Sequence, residues 1–276
     1  FGRVEGFPLG LNLAAADVII NGEADFSQLA AYVPSVAANA PGPLDVNGDG
    51  LADLLIGDPN ANDRAGRAYV LLGRRVWPAQ IALADADWRF SPSRTIAFGG
   101  SVASAGDVDG DGLTDILVGA MIDTVNYETA YLYLGRERGI PAVQSRLYGR
   151  FCAGTCPSPL IPNLAGLGDT NGDGLSDILL ASYQAVWLIN GRPKSDWPAT
   201  SLAADVSSAL LQGTGVQQTV VPAGDVNGDG LRDMLVGDFG GSVARVFAVF
   251  GRRPEQAFPQ PPAAYDLVAS ADISFL

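Results

Sequence analysis

Short runs of apolar residues recur along the chain, and each run follows a polar, glycine-rich segment. The four runs cover residues 54–57, 116–119, 178–180 and 234–237. They are too short for helices and too uniformly apolar for strands that expose one face to solvent. The pattern therefore predicts buried β-strands and an all-β fold.

Three further strands can be marked around each buried run, which would be the second strand of a four-stranded unit. The predicted strands are 35–38, 101–105, 163–165 and 219–221 for the inner strand, 68–72, 130–134, 185–189 and 246–250 for the third, and 84–88, 145–148, 203–206 and 269–273 for the fourth. The polar segments begin at residues 45, 107, 169 and 225, so the spacings are 62, 62 and 56 residues. Repeats of this length with several short strands and glycine-rich turns are typical of propeller blades.

The polar segments are four copies of one nine-residue loop. The second copy reads Asp107-Val-Asp-Gly-Asp-Gly-Leu-Thr-Asp115, and loops 45–53, 169–177 and 225–233 differ from it at few positions. Side-chain oxygens fall at positions one, three, five and nine, and the glycines at positions four and six permit the positive φ of a tight loop. With the backbone carbonyl of position seven, these oxygens match the ligand pattern that calcium requires.

The sequence therefore predicts about four Ca²⁺ ions, one in each loop. The predicted ligands are Asp45, Asn47, Asp49, Leu51, Asp53, Asp107, Asp109, Asp111, Leu113, Asp115, Asp169, Asn171, Asp173, Leu175, Asp177, Asp225, Asn227, Asp229, Leu231 and Asp233. The leucines would contribute their backbone carbonyls.

Two other interpretations account for part of the loop sequence. Asp, Asn and Gly favour turns for local reasons, so a single copy is also compatible with a solvated turn. Turn chemistry does not require an acidic residue at position nine, and all four copies have one. An EF-hand loop has a bidentate Glu at position twelve, whereas position twelve here is Ile56, Val118, Leu180 or Val236. Calcium-bearing turns between strands fit the sequence better.

The net acidity of the chain resides in these loops. The 276 residues include 30 Asp and Glu against 17 Lys and Arg, which gives a formal charge of −13, and thirteen of the acidic residues are loop aspartates. Four divalent ions would bring the charge to about −5, so we expect stability to depend on metal occupancy. Because there is no basic excess, a nucleic-acid partner is not expected.

The scarcity of catalytic residue types argues against an enzyme. The chain has no histidine, which removes the commonest general base and the Ser-His and Cys-His pairs. Cys152 and Cys156 would form a local disulfide or, less simply, a free redox or metal pair. A disulfide and the millimolar calcium outside cells both favour a secreted or cell-surface protein. No apolar stretch of about 18 residues is present, so no membrane insertion is expected.

The second repeat, Phe98-Gly-Gly-Ser-Val-Ala-Ser-Ala-Gly-Asp-Val-Asp-Gly-Asp-Gly-Leu-Thr-Asp-Ile-Leu-Val-Gly119, resembles the FG-GAP repeat of integrin α-chain propellers and their bacterial relatives. The resemblance implies a single β-propeller-like domain over 1–276, with a calcium loop between the first and second strands of each blade. Integrin propellers have seven blades, whereas this chain has material for four. The predicted blades are 23–90, 91–149, 150–207 and 208–276, and segment 1–22 carries an extra strand at 13–20.

The resemblance implies a non-enzymatic extracellular module for adhesion or structural self-assembly. Its partner would be another protein or a second copy of the chain, and the extra strand could join copies head to tail in a homo-oligomer or filament. The alternative is the propeller portion of a secreted hydrolase that acts on polysaccharide or phospholipid. Paired carboxylates would then perform the acid and base chemistry without histidine.

Overall fold

The structure is a computed structural model that describes residues 17–23, 30–32, 44–93, 95–122, 128–149, 162–182, 185–213, 218–238, 244–261 and 263–275. In these ranges the chain forms twenty short strands and two helices of one turn each. The all-β class predicted from the sequence is therefore confirmed. None of the helices in the described part has the length and apolar character that a bilayer-spanning helix needs.

The strands are numbered in chain order. They are β1 (Ile19–Asn21), β2 (Ala30–Tyr32), β3 (Leu54–Asp58), β4 (Arg67–Leu71), β5 (Gln80–Ala82), β6 (Trp88–Phe90), β7 (Thr95–Gly106), β8 (Asp115–Ile122), β9 (Glu128–Tyr133), β10 (Val143–Tyr148), β11 (Asn163–Gly168), β12 (Asp177–Ser182), β13 (Ala185–Ile189), β14 (Thr200–Leu202), β15 (Ala209–Gln212), β16 (Gln218–Gly224), β17 (Asp233–Asp238), β18 (Arg245–Val249), β19 (Tyr265–Asp266) and β20 (Ile273–Phe275). The helices are α1 (Ala203–Val206) and α2 (Leu267–Ser270), and 3₁₀ turns occur at Leu83–Asp85, Lys194–Asp196 and Pro254–Gln256.

Each repeat contributes one antiparallel sheet whose four strands follow the chain order. The first sheet is β2-β3-β4-β6, the second β7-β8-β9-β10, the third β11-β12-β13-β15 and the fourth β16-β17-β18-β20. The outer strand of the third sheet is β15, so this sheet extends to Gln212. Four similar sheets in sequence are consistent with consecutive propeller blades.

The connection between the third and outer strands carries an additional short strand in three repeats. β14 of the third repeat pairs in parallel with β10, and β19 of the fourth repeat pairs in parallel with β15. Each therefore extends the outer edge of the preceding sheet. β5 of the first repeat pairs in parallel with β1 in the same manner. β1 thus has the position of an outer strand of a sheet that would precede the first.

The hydrophobic core lies between consecutive sheets, because alternate residues of each buried strand point to opposite faces. Leu55 of β3 packs in a cluster that includes Ile116 and Val118 of the second sheet. Its neighbour Ile56 packs on the other face with Ile81 of β5, and Ile20 of β1 packs against that cluster. Equivalent clusters join the second to the third sheet and the third to the fourth. This two-sided burial explains why the second strands are uniformly apolar.

Most strand predictions from the sequence are confirmed. The second and third strands lie where the apolar runs placed them, and the inner strands at 101–105, 163–165 and 219–221 belong to β7, β11 and β16. The predicted inner strand at 35–38 lies outside the described residues. So do Cys152 and Cys156, whose disulfide stays a prediction. Of the extra strand predicted at 13–20, the described part enters β1.

The fourth strand was placed correctly only in the second repeat, where 145–148 lies in β10. The prediction for 203–206 was wrong, because this segment forms α1. The predictions for 84–88 and 269–273 overlap β6 and β20 by one residue each, since a 3₁₀ turn and α2 occupy the first two residues of these segments. Alanine-rich segments favour helical turns, and each turn begins at a buried apolar residue. The outer strand begins only after the turn.

Candidate metal centres

The four loops lie at equivalent places, at the start of the second strand of each sheet. Position nine is the first residue of β8, β12 and β17, and in the first repeat Asp53 directly precedes β3. The carboxylate at this position is therefore fixed by a buried strand, while positions three to six project toward solvent. The sequence forms this arrangement because the apolar run begins directly after the last ligand.

The position-one aspartate organises the loop backbone. Its Oδ1 accepts a hydrogen bond from the amide of the position-four glycine, and its Oδ2 accepts one from the position-six glycine. In the four loops the first distance is 2.8, 2.7, 2.6 and 2.7 Å and the second is 2.9, 2.9, 2.9 and 3.0 Å. Both glycines have positive φ in every loop, between 72° and 87°. This conformation is what turns the successive side chains toward one centre.

Positions three and five lie side by side at the exposed rim of the loop. The position-five aspartate accepts the position-seven amide at 2.8 to 2.9 Å in all four loops. In three loops the position-three asparagine donates its side-chain amide to this aspartate, at 3.0 Å for Asn47 and 2.9 Å for Asn171 and Asn227. The second loop has Asp109 at position three, so two carboxylates face each other there. The second loop therefore has the highest negative charge.

The position-nine aspartates, Asp53, Asp115, Asp177 and Asp233, are fully buried, and both oxygens of each bind backbone amides. One oxygen accepts the position-two amide, at 2.8, 2.8, 2.9 and 2.7 Å. The other accepts the amide of the glycine that ends the third strand, at 2.7, 2.7, 2.9 and 2.9 Å. The sequence analysis predicted these residues as ligands and missed this locking role. The available signal was an acidic residue directly before an apolar run in all four repeats.

Burial changes the proton affinity of Asp53, Asp115 and Asp177. Loss of solvation raises the pKa of Asp53 to about 6, that of Asp177 to about 7 and that of Asp115 to about 8, and the backbone hydrogen bonds only partly oppose this effect. The pKa of Asp109 is also raised, first by burial and then by the charges of Asp111 and Asp107. A cation at the loop centre would relieve this cost by favouring the charged forms.

The second loop shows directly that its donors can converge on one ion. Asp107, Asp109 and Asp115 each offer a carboxylate oxygen, and these oxygens all lie within 4.8 Å of one another. Two oxygens bound to the same calcium ion at 2.3 to 2.6 Å are at most about 5 Å apart. The donor set is entirely oxygen, which suits a hard divalent cation and not zinc or copper. The residues present therefore fit calcium.

Comparison with protein families agrees with the loop geometry. The FG-GAP repeat model matches residues 37–71 and 98–133, and the FG-GAP-like repeat model matches residues 169–236. Together the matches cover about half of the chain and include all four loops. The chain belongs to the FG-GAP repeat family.

Curated relatives of this FG-GAP protein include integrin α chains. It is 30% identical to integrin alpha-4 of Xenopus laevis over 179 residues, which is 62% of this chain and 16% of the relative. It is 32% identical to integrin alpha-V of Gallus gallus over 166 residues, 56% of this chain and 15% of the relative. With integrin alpha-E of Mus musculus the identity is 30% over 193 residues, 61% and 15% of the two chains. The FG-GAP chain thus spans about one sixth of the length of these relatives.

Each of the first three FG-GAP loops is bound to the next repeat through its backbone. The carbonyl of position one accepts a hydrogen bond from the amide of position eight in the next loop. The carbonyl of position two accepts a hydrogen bond from the amide of the arginine that follows the third strand of the next repeat. The six bonds are Thr114 to Asp45 (3.0 Å), Arg136 to Val46 (2.8 Å), Ser176 to Asp107 (2.8 Å), Arg192 to Val108 (2.9 Å), Arg232 to Asp169 (2.8 Å) and Arg252 to Thr170 (2.8 Å). The loops therefore join neighbouring sheets as well as the strands of their own sheet.

Close packing reinforces these links between FG-GAP loops. A Cβ atom on Gly48 would lie 2.8 Å from the Cδ2 of Leu113 in the next loop, and one on Gly110 would lie 3.0 Å from Leu175. A Cβ on Gly135, two residues after β9, would lie 3.0 Å from the carbonyl oxygen of Val46 in the preceding loop. The four loops thus form a continuous row, in which the shape of one loop affects the next.

Proposed function

We propose that this chain is a non-enzymatic, calcium-stabilised segment of a β-propeller that acts outside the cell in adhesion or structural assembly. The observation that carries the proposal is the set of backbone hydrogen bonds between each loop and the next repeat. A loop that holds an ion and also binds a neighbouring sheet couples ion binding to the packing of the whole row. Family membership and the similarity to integrin α chains support the adhesion role.

In this proposal each loop holds one calcium ion through positions one, three, five and nine and the carbonyl of position seven. The ion supplies positive charge at the centre of a carboxylate cluster that would otherwise repel itself. An ion at 100 times its Kd adds about 2.7 kcal/mol of stability for each site. Four sites would add about 11 kcal/mol, which is comparable with the whole stability of a domain. In the millimolar calcium outside cells, this ratio corresponds to sites with a Kd of about 10⁻⁵ M.

The hydrogen bonds of the loop carboxylates support a structural role over a catalytic one. The position-one and position-nine aspartates bind two or more backbone amides each, for example Asp107 with Gly110 and Gly112. A general acid or base must be free to approach the reacting atom. These groups are committed to loop shape and to the ion.

Native mass spectrometry and thermal unfolding, in calcium and after chelation, test the proposal. We expect four calcium ions per chain and a fall in Tm of at least about 10 °C on chelation, because several kcal/mol of binding energy would be lost. A magnesium-only sample is the control for ion type, since magnesium demands a stricter octahedral geometry. Equal Tm values in calcium and chelator would refute calcium stabilisation.

We further propose that the complete ring has more than four blades. β20 already completes the fourth sheet, while β1 has the position of an outer strand beside β5. In a closed ring of only these four sheets, β1 and β20 would compete for one place. At least one more blade is therefore needed, either from the same polypeptide or from a second copy that binds head to tail.

The solution mass distinguishes these two sources. If a second copy supplies the missing strands, the chain in calcium forms dimers or larger species that disappear when residues 1–22 are deleted. The deletion removes Val18 and Ile20, which pack against the cluster that contains Ile56, Ile81 and Leu83, so circular dichroism must first show that the variant is folded. A chain that stays monomeric at high concentration in calcium excludes self-assembly and leaves the same polypeptide as the source.

A further inference from the structure

The arginine that follows the third strand has internal partners in some repeats and not in others. In the first repeat Arg74 Nη2 lies 2.5 Å from Asp87 Oδ2, and in the fourth Arg252 Nη2 lies 3.2 Å from Asp272 Oδ1. Both aspartates directly precede the outer strand of their sheet. The residue at this place in the second repeat, directly before β10, is Ala142. The second repeat therefore lacks the carboxylate.

The second repeat also lacks the aromatic ring that the other repeats place under this arginine. The stacked pairs are Arg74 and Trp77 at 5.0 Å, Arg192 and Trp197 at 5.0 Å, and Arg252 and Phe258 at 4.7 Å. In all three, the aromatic residue directly precedes a proline. In the second repeat this residue is Ile140, which is 51% exposed. Arg136 thus has neither of the partners that hold its equivalents.

A polar groove of about 560 Å³ lies where Arg136 is left without these partners. Arg136 and Arg138 of the second repeat and Lys194 of the third line it, and in the described part of the chain these three side chains form no hydrogen bond or ion pair. Its remaining polar lining is Asp111, Glu137 and Gln144. Gln144 donates to the Lys194 carbonyl at 3.1 Å, which fixes one wall. The charge of Lys194 acts on Asp109 of the second loop, so Arg136 and Arg138 are the two cations of the groove that the described part of the chain leaves without an anionic partner.

The positive and negative side chains of the groove together limit the class of ligand that could bind there. The equivalents of Arg136 bind a carboxylate wherever the repeat supplies one, and a guanidinium matches the two oxygens of a carboxylate. Glu137 repels a second nearby anionic group, but its oxygens accept hydrogen bonds from hydroxyl groups. A ligand with one carboxylate on each hydroxyl-rich unit satisfies both conditions. The volume is within the range of sites that take a small oligosaccharide.

We propose that this groove binds a uronic acid unit of an acidic polysaccharide. Arg136 binds the carboxylate in the place that Asp87 and Asp272 take in their own repeats, with Arg138 and Lys194 beside it. Glu137 and Gln144 bind the hydroxyl groups. The groove is distinct from the calcium loops, although Asp111 forms part of its lining. Binding of a uronic acid would add a ligand to the proposed function and does not depend on that function.

Isothermal titration with a galacturonic acid trisaccharide at about 0.15 M salt, where long-range attraction is screened, tests this site. We expect binding at millimolar Kd or tighter, with the neutral galactose trisaccharide and inorganic sulfate at least about tenfold weaker. Arg136→Gln should weaken binding about tenfold or more, because it removes a charged hydrogen-bond donor. Ala142→Asp should do the same by supplying the internal carboxylate that the second repeat lacks. Arg75→Gln is the matched control, since it removes an exposed arginine that does not line the groove, and it should leave the Kd unchanged.

Several results would overturn the proposal. Equal binding of the neutral trisaccharide shows that the carboxylate is not recognised, and equal binding of sulfate shows only a positive patch. Tighter binding of a glutamate hexapeptide identifies an acidic protein segment instead of a sugar. No binding, or the same loss in Arg75→Gln as in Arg136→Gln, also excludes the site. Titrations in calcium and in chelator separate this result from failure of calcium stabilisation, which the Tm reports independently.

Discussion

Replacement of Asp115 separates the structural role of a loop carboxylate from its role toward the ion. Asp115 is fully buried, and its two oxygens accept the amides of Val108 and Gly135 at 2.8 and 2.7 Å. In Asp115→Ala both amides lose their acceptor inside the protein. A buried polar group without a partner costs about 1 to 3 kcal/mol, so the expected loss is about 2 to 6 kcal/mol even in chelator. Asp115→Asn keeps one acceptor oxygen and should lose about half as much.

Asp111→Ala is the matched comparison, because Asp111 belongs to the same loop and is exposed. Among the described residues its carboxylate accepts one backbone amide, that of Leu113 at 2.9 Å, in a place that water also reaches. In chelator this change should alter the free energy of unfolding by less than about 0.5 kcal/mol, as is usual for surface positions. In calcium it should be costly, because it removes a charged ligand.

Urea unfolding of the wild type and the three variants, in calcium and in chelator, measures these differences. The slope of the free energy against urea must stay constant for the comparison to hold. The account predicts that Asp115→Ala is destabilised in both buffers and Asp111→Ala only in calcium. If Asp115→Ala matches the wild type in chelator, the buried carboxylate does not lock the loop to the third strand, and the reasoning fails.

Three further predictions concern the same loops. In the first loop, Asp49→Ala should weaken calcium binding more than Asn47→Ala, because a charged ligand attracts the ion more strongly than an amide; calorimetric titration showing the reverse order would contradict this. In chelator, stability should fall as the pH rises from about 4 to 8, because burial raises the pKa of Asp115 to about 8 and the folded state then binds protons more tightly than the unfolded state. Calcium competes with these protons, so the difference in Tm between calcium and chelator should grow as the pH rises from about 4 to 8. A difference that shrinks over this pH range would contradict the prediction. Gly135→Ala should cost about 1 to 3 kcal/mol, because a Cβ there would lie 2.7 Å from the Cβ of Leu113 and 3.0 Å from the carbonyl oxygen of Val46; an unfolding midpoint equal to that of the wild type would exclude this overlap.

The sequence predicts the parts of the fold in which a residue's neighbours along the chain decide its structure. The second strands follow from apolar runs such as 116–119, because a strand buried on both faces must be apolar throughout. The loops follow from the spacing of oxygen side chains. The outer strands were harder, since segment 203–206 is short, rich in alanine and without alternation. This segment forms the helical turn α1, and its place before the outer strand is known only from the structure of the sheet.

The links between repeats could not be predicted, because they run through backbone groups. The bond from Arg136 to the Val46 carbonyl involves no particular side chain. The strands that pair in parallel with a preceding sheet, such as β14, were also missed, because three residues are too few to show an alternation of apolar and polar positions. The unpartnered state of Arg136 could have been noticed from the sequence, since the second repeat alone has Ile140 where the others have an aromatic residue before proline.

Hydrogen exchange at the amides that join the repeats tests the central claim most directly. These amides belong to Thr114, Arg136, Ser176, Arg192, Arg232 and Arg252. The account predicts strong protection in calcium and a large loss of protection on chelation, at a free energy of opening below that of the interior amides of β8, β12 and β17. If the six amides are protected equally with and without calcium, the loops do not couple ion binding to the packing of neighbouring sheets, and the account is wrong.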